Sequence, residues 1–233
     1  MAGRDSSTPG GGAPARVLAV DVGGTNVKIR SSDHAEIRKH PSGPELSPGD
    51  MVAAVRELAG DWSYEAVSVG FPGPVLDGAP AFEPANLGKG WVGFDFEAAF
   101  GAPVRVINDA AMQALGSYQG GKMLFLGLGT GLGSAVVIGG RVEPMELAHL
   151  PYRRGGSFEH YVGKGGLQRL GAKRWEKHVH RVVGALKHAL LVDYVVLGGG
   201  NAKKLEQIPE GARLGANANA FVGGFRLWGV ETE

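Results

Sequence analysis

Asp109 has the residue type and the position that a base in phosphoryl transfer needs. Residues 104–107 read as a buried strand and a helix is predicted to begin at Ala110, so Asp109 lies at the junction of the two. Phosphoryl transfer asks the protein for positioning, charge neutralisation and a carboxylate that accepts the proton of the attacking hydroxyl. Asn108 or Asp109 is also a good N-cap for this helix. From position alone, the base and the helix cap both remain open interpretations of Asp109.

Three glycine clusters each follow a predicted buried strand directly. They are residues 23–25, 127–133 and 198–200. Glycine lets the backbone approach a ligand and present bare N–H groups, and such nests bind anions, above all phosphate. Hairpin turns use glycine too, but three clusters, two of them related by an internal repeat, favour phosphate binding. The Walker pattern does not occur, and the first two turns lead back into strands, which excludes a Rossmann fingerprint.

Asp21 and Lys28 flank the first glycine turn, as does Thr25. A carboxylate beside bound phosphate would repel it unless a cation lay between them, so Asp21 predicts Mg²⁺, contacted through water. An aspartate that merely forms the turn is the alternative. Lys28 either faces the phosphate or is an ordinary solvated strand lysine.

Glu146, His149 and Glu159 are candidates for binding a polar substrate. Glu146 and His149 are three residues apart and share a face if the segment is helical. Glutamate and neutral histidine both hydrogen-bond sugar hydroxyls. The pair could instead be half of a metal site, although the absence of cysteine disfavours zinc. Glu159 could also be a first-turn glutamate favoured by the helix dipole.

Composition limits the classes of partner. The chain has 233 residues, a net charge of +1 and no cysteine, so its charge gives no reason to expect nucleic acid or an anionic membrane as partner, and disulfides are excluded. No apolar run reaches the ~18–20 residues that span a bilayer, and the N-terminus lacks a signal pattern. We therefore expect a cytoplasmic protein that binds small molecules.

Alternating periods of hydrophobicity predict an α/β protein with helices packed on sheets. Strands are predicted at residues 17–20, 27–30, 66–70, 104–107, 123–126, 135–138 and 194–197. Helices are predicted at residues 48–59, 94–100, 158–170, 175–191 and 217–228. Two further helices are predicted to begin at Ala110 and Asn201. Ser47, Pro48 and Asp50 form the capping signal of the helix at 48–59. In the helix at 175–191, His178, His180 and His188 are expected to face solvent.

A weak internal repeat predicts two similar lobes. The stretches VLAVDVGGTNVKI and MLFLGLGTGLGSAVVI both read as strand, glycine turn, strand. The predicted organisation is a disordered tail at 1–15, an N-terminal lobe at 16–107 and a C-terminal lobe at 108–233, with room for the helix at 217–228 to return to the first lobe.

Seven motifs occur in an order that resembles the ROK family of sugar kinases. They are DVGGTNVK at 21–28, GFPGPV at 70–75, NLGKGW at 86–91, Asn108-Asp109, GLGTGLG at 127–133, ELAH at 146–149 and LGGG at 197–200. The resemblance runs from about residue 16 to the C-terminus and is nearest to polyphosphate-dependent glucokinases. It implies an actin-like, hexokinase-type (ribonuclease H-like) two-lobed fold that closes around sugar and phosphoryl donor.

The resemblance also implies roles for individual residues. Asp109 matches the catalytic base. The positions that match sugar-binding residues are Asn86, Asn108, Glu146, His149 and Glu159. The positions that match the two phosphate loops are Gly23, Gly24, Thr25, Gly129, Thr130 and Gly131, and Gly198 and Gly199 match the segment near the adenosine of ATP. The motif that begins at Asn86 carries one extra residue before its tryptophan.

Departures from the family pattern refine the prediction. Many members carry a zinc-binding C-x-C-G-x-x-G-C stretch where this chain has residues 151–157, so no zinc is expected at His149. Ala148 replaces the usual glycine before the histidine. The short stretch before Arg16 has no room for the helix-turn-helix of the family's repressors. A homodimer is expected from the resemblance alone.

The predicted function is a carbohydrate kinase that uses Mg²⁺ and transfers a phosphoryl group from ATP or polyphosphate to a hexose, with glucose to glucose 6-phosphate preferred. Kinases for another hexose or an N-acetylhexosamine remain alternatives. Two other classes also remain open: a phosphohydrolase of polyphosphate or nucleotide, and a catalytically silent sugar sensor.

Overall fold

Two five-stranded sheets carry the described part of the chain. The computed structural model describes residues 13–232. The strands of the first sheet are β1 (Val17–Val22), β2 (Asn26–Ser31), β3 (Arg38–Pro41), β4 (Ala66–Phe71) and β7 (Val104–Asn108). Those of the second are β8 (Lys122–Leu128), β9 (Leu132–Ile138), β10 (Arg141–Met145), β11 (Tyr194–Gly198) and β12 (Ala212–Leu214). A small hairpin of β5 (Val75–Leu76) and β6 (Ala79–Pro80) stands apart.

The two sheets repeat one topology. The strand orders are β3-β2-β1-β4-β7 and β10-β9-β8-β11-β12. In both, the first three strands pair antiparallel and the last two join parallel. The weak repeat in the sequence therefore reflects a repeated architecture. The first glycine turn joins β1 to β2, and the second joins β8 to β9 at the same place in the other sheet.

Seven α-helices connect and cover these sheets within residues 13–232. They are α1 (Pro48–Ala59), α2 (Phe96–Phe100), α3 (Asp109–Ser117), α4 (Phe158–Val162), α5 (Lys164–Leu170), α6 (Ala172–Leu190) and α7 (Asn219–Arg226). α1 has the predicted bounds because Ser47 and Asp50 form a reciprocal capping box, with Ser47 Oγ accepting from Asp50 N at 3.2 Å. Short 3₁₀ turns lie at Leu147–His149, Arg153–Gly155 and Ala202–Lys204.

Each sheet has its own hydrophobic core. α1 and α2 pack on the first sheet, and α4, α5 and α6 pack on the second. α7 returns to the first sheet, where Phe221 and Phe225 pack against Val17 and Ala19 of β1. The predicted boundary at 107/108 falls at the end of β7, and the assignment of the two lobes stays a prediction.

Several predicted elements differ from the structure. The helix predicted at 158–170 is broken at Gly163, whose extended backbone ends α4 and begins α5. The helix predicted from Asn201 is only the 3₁₀ turn at Ala202–Lys204. β3, β10 and β12 were not predicted. Most of the predicted tail, residues 1–12, lies outside the described residues.

The prediction that His178 faces solvent is wrong, because it is only 9% exposed and packs beside aromatic side chains. His178 shares the inward face of α6 with Trp175 and Val182, which lie three residues before it and four after it. Within residues 13–232, none of the helices combines the length and apolar character needed to cross a bilayer.

Candidate active site

A cleft of about 540 Å³ is lined by residues from both sheets. Its walls include the first two glycine turns, the junction between β7 and α3, and the segment that leads into α4. The predicted site residues in its lining are Asp21, Gly23, Gly24, Lys28, Asn86, Asn108, Asp109, Gly129, Thr130, Gly131, Glu146, His149, Glu159 and Gly199. Residues far apart in the sequence therefore meet in one cleft.

The sequence left open which of Asn108 and Asp109 caps α3 and which faces the cleft. Asn108 is the N-cap of α3, since its Oδ1 accepts from Ala111 N at 3.1 Å. Its Nδ2 donates to the carbonyl of Gly73 at 3.0 Å, which ties the end of β7 to the turn after β4. Asp109 is the first residue of α3 and stays partly exposed in the cleft, with Oδ1 accepting from Ala110 N at 2.7 Å.

The electrostatics of Asp109 suit a proton acceptor. Burial, and next the negative charge of Asp21, raise the pKa of Asp109 to about 7, while the backbone N–H groups of Ala110 and of Asp109 itself act in the opposite direction. A general base is most effective when its pKa lies near the working pH. At neutral pH a substantial fraction of Asp109 is ionised and able to take a proton.

Asp21 ends β1 beside the first glycine turn. Burial raises the pKa of Asp21, and Lys28 opposes this with its charge and a contact of 3.3 Å between Nζ and Oδ2. Asp21 is 21% exposed at the side chain and Lys28 37%, so both reach the cleft. Mg²⁺ is commonly held by one or two carboxylates with waters and substrate phosphates. The single carboxylate of Asp21 beside the first glycine turn fits that donor set.

No group of three or more histidine, cysteine, aspartate or glutamate side chains within residues 13–232 is arranged to hold a metal ion. His149 ends the 3₁₀ turn at Leu147–His149 and Glu146 directly precedes that turn, with 3.6 Å between Oε2 of Glu146 and Nε2 of His149. Their side chains are 64% and 74% exposed. Both polar groups are open to the cleft, as binding of a hydroxylated ligand requires.

The second glycine turn is tied down from three sides. Lys164 N donates to the carbonyls of Gly129 and Thr130, both at 3.2 Å. Asn201 Nδ2 donates to the carbonyl of Gly129 at 2.9 Å. Glu159 Oε2 accepts from Leu132 N at 3.1 Å.

Two glycines allow close approaches around this turn. A Cβ at Gly131 would collide with Glu159 Oε2. Gly199, at φ +79°, lies so near the backbone of Leu128 that a Cβ would be 2.6 Å from its carbonyl oxygen. The third glycine cluster therefore packs directly against the second.

Two predicted site residues do not line the cleft. Thr25 is exposed on the outer side of the first turn, where its carbonyl accepts from Ser42 N at 2.9 Å. Gly198 ends β11 and is buried against the ring of Phe125. Their roles in binding stay predictions without a place in the cleft.

The remaining lining residues were not predicted individually, although Gly127, Leu132, Gly133 and Gly200 lie in the predicted glycine clusters. The remaining residues are Pro72, Gly73, Pro74, Ala110, Gln113, Gly127, Leu132, Gly133, Ala148, Gly200, Asn217 and Ala220. Gln113 was detectable, because on α3 it follows Asp109 by one helical turn and so points to the same side. Asn217 lies in an irregular segment before α7, where no periodicity indicates its direction.

The chain is similar in sequence to known proteins. The ROK family model matches residues 17–144. A polyphosphate glucokinase of Mycobacterium tuberculosis is 27% identical over 232 residues, which cover 87% of this chain and 84% of that protein. A kanosamine kinase of Amycolatopsis mediterranei is 32% identical over 164 residues, which cover 60% of this chain and 53% of that protein.

The fold has close counterparts among solved structures. The inorganic polyphosphate/ATP-glucomannokinase of Arthrobacter sp. strain KM superposes with a TM-score of 0.75 at 24% identity. The match covers 93% of this chain and 98% of that one. The predicted α/β fold of the hexokinase type is confirmed.

Proposed function

The chain belongs to the ROK family, and on this premise we propose that it transfers the terminal phosphoryl group of ATP or inorganic polyphosphate to the 6-hydroxyl of glucose. That it is a sugar kinase follows from the family and its relatives. The observation that carries the specific proposal is the position of Asp109, which faces the same cleft as both glycine turns and the polar residues of 146–159.

Asp109 acts as the base in the proposed step. The sugar hydroxyl gives its proton to the free carboxylate oxygen while its oxygen forms a bond to the terminal phosphorus. The bond from that phosphorus to the bridging oxygen breaks at the same time. The bridging oxygen leaves on ADP or on a polyphosphate one unit shorter, so the products are a sugar phosphate and the shortened donor.

The two glycine turns hold the phosphates of the donor. Gly23 N and Gly129 N are already bonded to backbone carbonyls, so the N–H groups offered to phosphate are those of Gly24 in the first turn and of Thr130 and Gly131 in the second. Asp21 would hold Mg²⁺ through water, and the ion when bound neutralises charge on the phosphoryl oxygens. Lys28 adds a positive charge beside the first turn and keeps Asp21 paired in the free enzyme.

The sugar lies between Asp109 and the segment that carries Glu146, His149 and Glu159. Each of these side chains can bond to hydroxyl groups, and the exposed Asn86 adds an amide from the segment between β6 and α2. Asn108 is already committed through Oδ1 to the helix cap and through one Nδ2 hydrogen to Gly73. Its contribution to the sugar is limited to what remains of its amide.

An amino sugar is the second candidate acceptor. The similarity to a kanosamine kinase supports it, since that relative is more identical over its shorter match than the glucokinase relative. Homodimer formation and a cytoplasmic location stay predictions.

A matrix of acceptors and donors tests the proposal. Glucose, mannose, N-acetylmannosamine and kanosamine are each combined with ATP and with long-chain polyphosphate, and sugar phosphate is measured directly. We expect glucose 6-phosphate with at least one donor and a requirement for Mg²⁺. Release of inorganic phosphate at the same rate with and without sugar would contradict the proposal and indicate a hydrolase. Formation of an amino-sugar phosphate alone would move the assignment to the second candidate.

A further inference from the structure

The segment that carries Glu146 and His149 has little regular structure of its own. Between β10 and α4 it forms only two short 3₁₀ turns. A sugar site needs its ligands held closely in place, because small displacements weaken several hydrogen bonds at once. Something outside the segment must therefore fix it.

Residues 150–158 form a closed loop with its own hydrogen bonds. Phe158 N donates to the carbonyl of Leu150 at 3.0 Å, and Tyr152 N donates to the carbonyl of Gly156 at 2.6 Å. Pro151 and Ser157 pair across the loop as an isolated bridge. Because the loop is bonded to itself, it can shift as one unit and would carry the adjoining 3₁₀ turn of His149 with it.

Tyr152 connects this loop to α6. Its hydroxyl lies 3.2 Å from Nδ1 of His178. Its ring packs edge-on against the rings of Phe158, Tyr161 and His178, with centroid distances of 5.4, 5.1 and 5.7 Å. Such edge-to-face pairs add specific geometry to burial. The Tyr152 side chain thus fixes both the position and the orientation of the loop.

His178 is suited to be the fixed partner. It lies in the middle of α6, whose neighbouring residues Trp175 and Val179 are fully buried in the core of the second sheet. Burial lowers the pKa of His178, and the charges of Arg181, Arg153 and Arg169 lower it further. A neutral imidazole offers one nitrogen as an acceptor, which matches the hydroxyl of a tyrosine.

Glu159 is anchored separately. Trp175 Nε1 donates to the carbonyl of Val162 at 2.7 Å, which fastens the end of α4 to α6. Glu159 itself accepts from Leu132 N. Glu146 also has its own anchor, because Ser134 Oγ of β9 donates to the carbonyl of Met145 at 2.6 Å and accepts from Leu147 N at 3.2 Å. Loss of the Tyr152–His178 contact would therefore leave Glu159 and Glu146 in place and release the side of the site that holds His149.

We propose that Tyr152 and His178 are positioning residues that set the sugar-binding half of the cleft, by fixing the loop at 150–158 on α6. This inference rests on the proposed function, because it assigns the sugar to the residues beside that loop. It concerns neither the base nor the donor turns, which have their own anchors.

Kinetics of single and paired variants test the inference. Tyr152→Phe removes only the hydroxyl, and His178→Phe keeps a ring but removes the acceptor. We expect each to raise KM for the sugar about 3- to 10-fold, the cost of one buried hydrogen bond, with KM for the donor unchanged. The double variant should show the same increase as either single one, since both remove one bond. His178→Asn, whose Oδ1 can still accept from the hydroxyl, should restore part of the loss.

Tyr194→Phe is the matched control. Tyr194 also spends its hydroxyl on one hydrogen bond, accepting from Gln119 N at 3.0 Å, but it lies on β11 and does not line the cleft. This variant should lose a comparable amount of thermal stability with no change in KM for the sugar.

Three outcomes would overturn the inference: a sugar KM unchanged in Tyr152→Phe, equal changes in the sugar and donor KM values, or additive effects in the double variant. Tyr152→Phe alone decides the matter if His178→Phe does not fold. A wild-type protein that makes no sugar phosphate would instead refute the proposed function, so the two failures are distinguishable.

Discussion

The two strand–turn–strand units have the same backbone topology but differ in the charge of their side chains. The turn between β1 and β2 is flanked by Asp21 and Lys28, which contact each other across 3.3 Å. The turn between β8 and β9, residues 127–133, contains no charged side chain. We propose that one backbone topology serves two electrostatic tasks: placement of a cation beside phosphate in the first unit, and direct presentation of N–H groups in the second.

The units also differ in how they are held. The first turn is held by a local bond from Gly23 N to the carbonyl of Asn26 at 3.0 Å and by Ser42, which follows β3 and donates to the carbonyls of Gly23 and Thr25. The second depends on α4, α5 and the segment after β11 through Glu159, Lys164 and Asn201. Because α4 also borders the sugar side of the cleft, changes near the sugar should reach the second turn more readily than the first.

Removal of the carboxylate between the units should have the largest effect. Asp109→Asn keeps the shape of the side chain, and turnover should fall about 10³-fold, as expected for loss of a general base. Binding of sugar, measured by calorimetry, should change little. Asp77→Asn, on the exposed hairpin of β5 and β6, is the control and should be fully active. Normal turnover in the Asp109→Asn variant would contradict the role of Asp109 as the base.

Asp21→Asn tests the charged turn. If Asp21 holds Mg²⁺ through water, the Mg²⁺ concentration for half-maximal rate should rise about 10- to 100-fold. The readout is a Mg²⁺ titration at saturating sugar and donor. An unchanged Mg²⁺ requirement would mean that the first turn does not handle the cation, and the contrast with the second turn would be lost.

Gly131→Ala tests the uncharged turn. A Cβ at this position collides with Glu159 Oε2, whereas one at Gly129 meets no atom within 4 Å. We expect Gly131→Ala to lower kcat/KM for the donor about tenfold, because the crowded carboxylate must move and release Leu132 N. Gly129→Ala is the matched control and should change it less. Equal losses in both variants would show that the Glu159 tether does not shape the turn.

A stability measurement gives the smallest expected effect. The pKa of Asp109 is raised to about 7 in the folded protein from an ordinary value of 3.8. The folded state therefore favours the proton, and this contribution to stability is present below about pH 4 and lost as pH rises through 7. Asp109→Asn should raise Tm at pH 8, and by progressively less towards pH 4. A Tm difference that is constant from pH 4 to 8 would contradict the raised pKa.

Local signals predicted much of the fold. α1 has the predicted bounds because its capping box and its stop at Gly60 are encoded within fourteen residues. The break at Gly163 was not predictable, because its reason is tertiary: a Cβ there would be 3.0 Å from the carbonyl oxygen of Thr130 in the second glycine turn. Close approaches between segments distant in sequence leave no periodic signal.

The site was predicted in its residues more than in its contacts. Ordered motifs identified most of the polar cleft lining, but not which of Asn108 and Asp109 caps α3. The prediction that His178 faces solvent was wrong because it relied on the polar residue type. The position three residues after Trp175 puts His178 on the inward face of α6. A partly buried polar partner from another segment, here the hydroxyl of Tyr152, cannot be anticipated from the helix that carries the histidine.

The pH dependence of kcat/KM for the sugar tests most directly whether Asp109 takes the proton. This parameter reports the enzyme before sugar binds. We predict that it rises about tenfold per pH unit up to an apparent pKa near 7, and that the residual activity of Asp109→Asn lacks this rise. A wild-type profile that is flat between pH 5 and 8, or a variant that keeps the same rise, would contradict the assignment of the base.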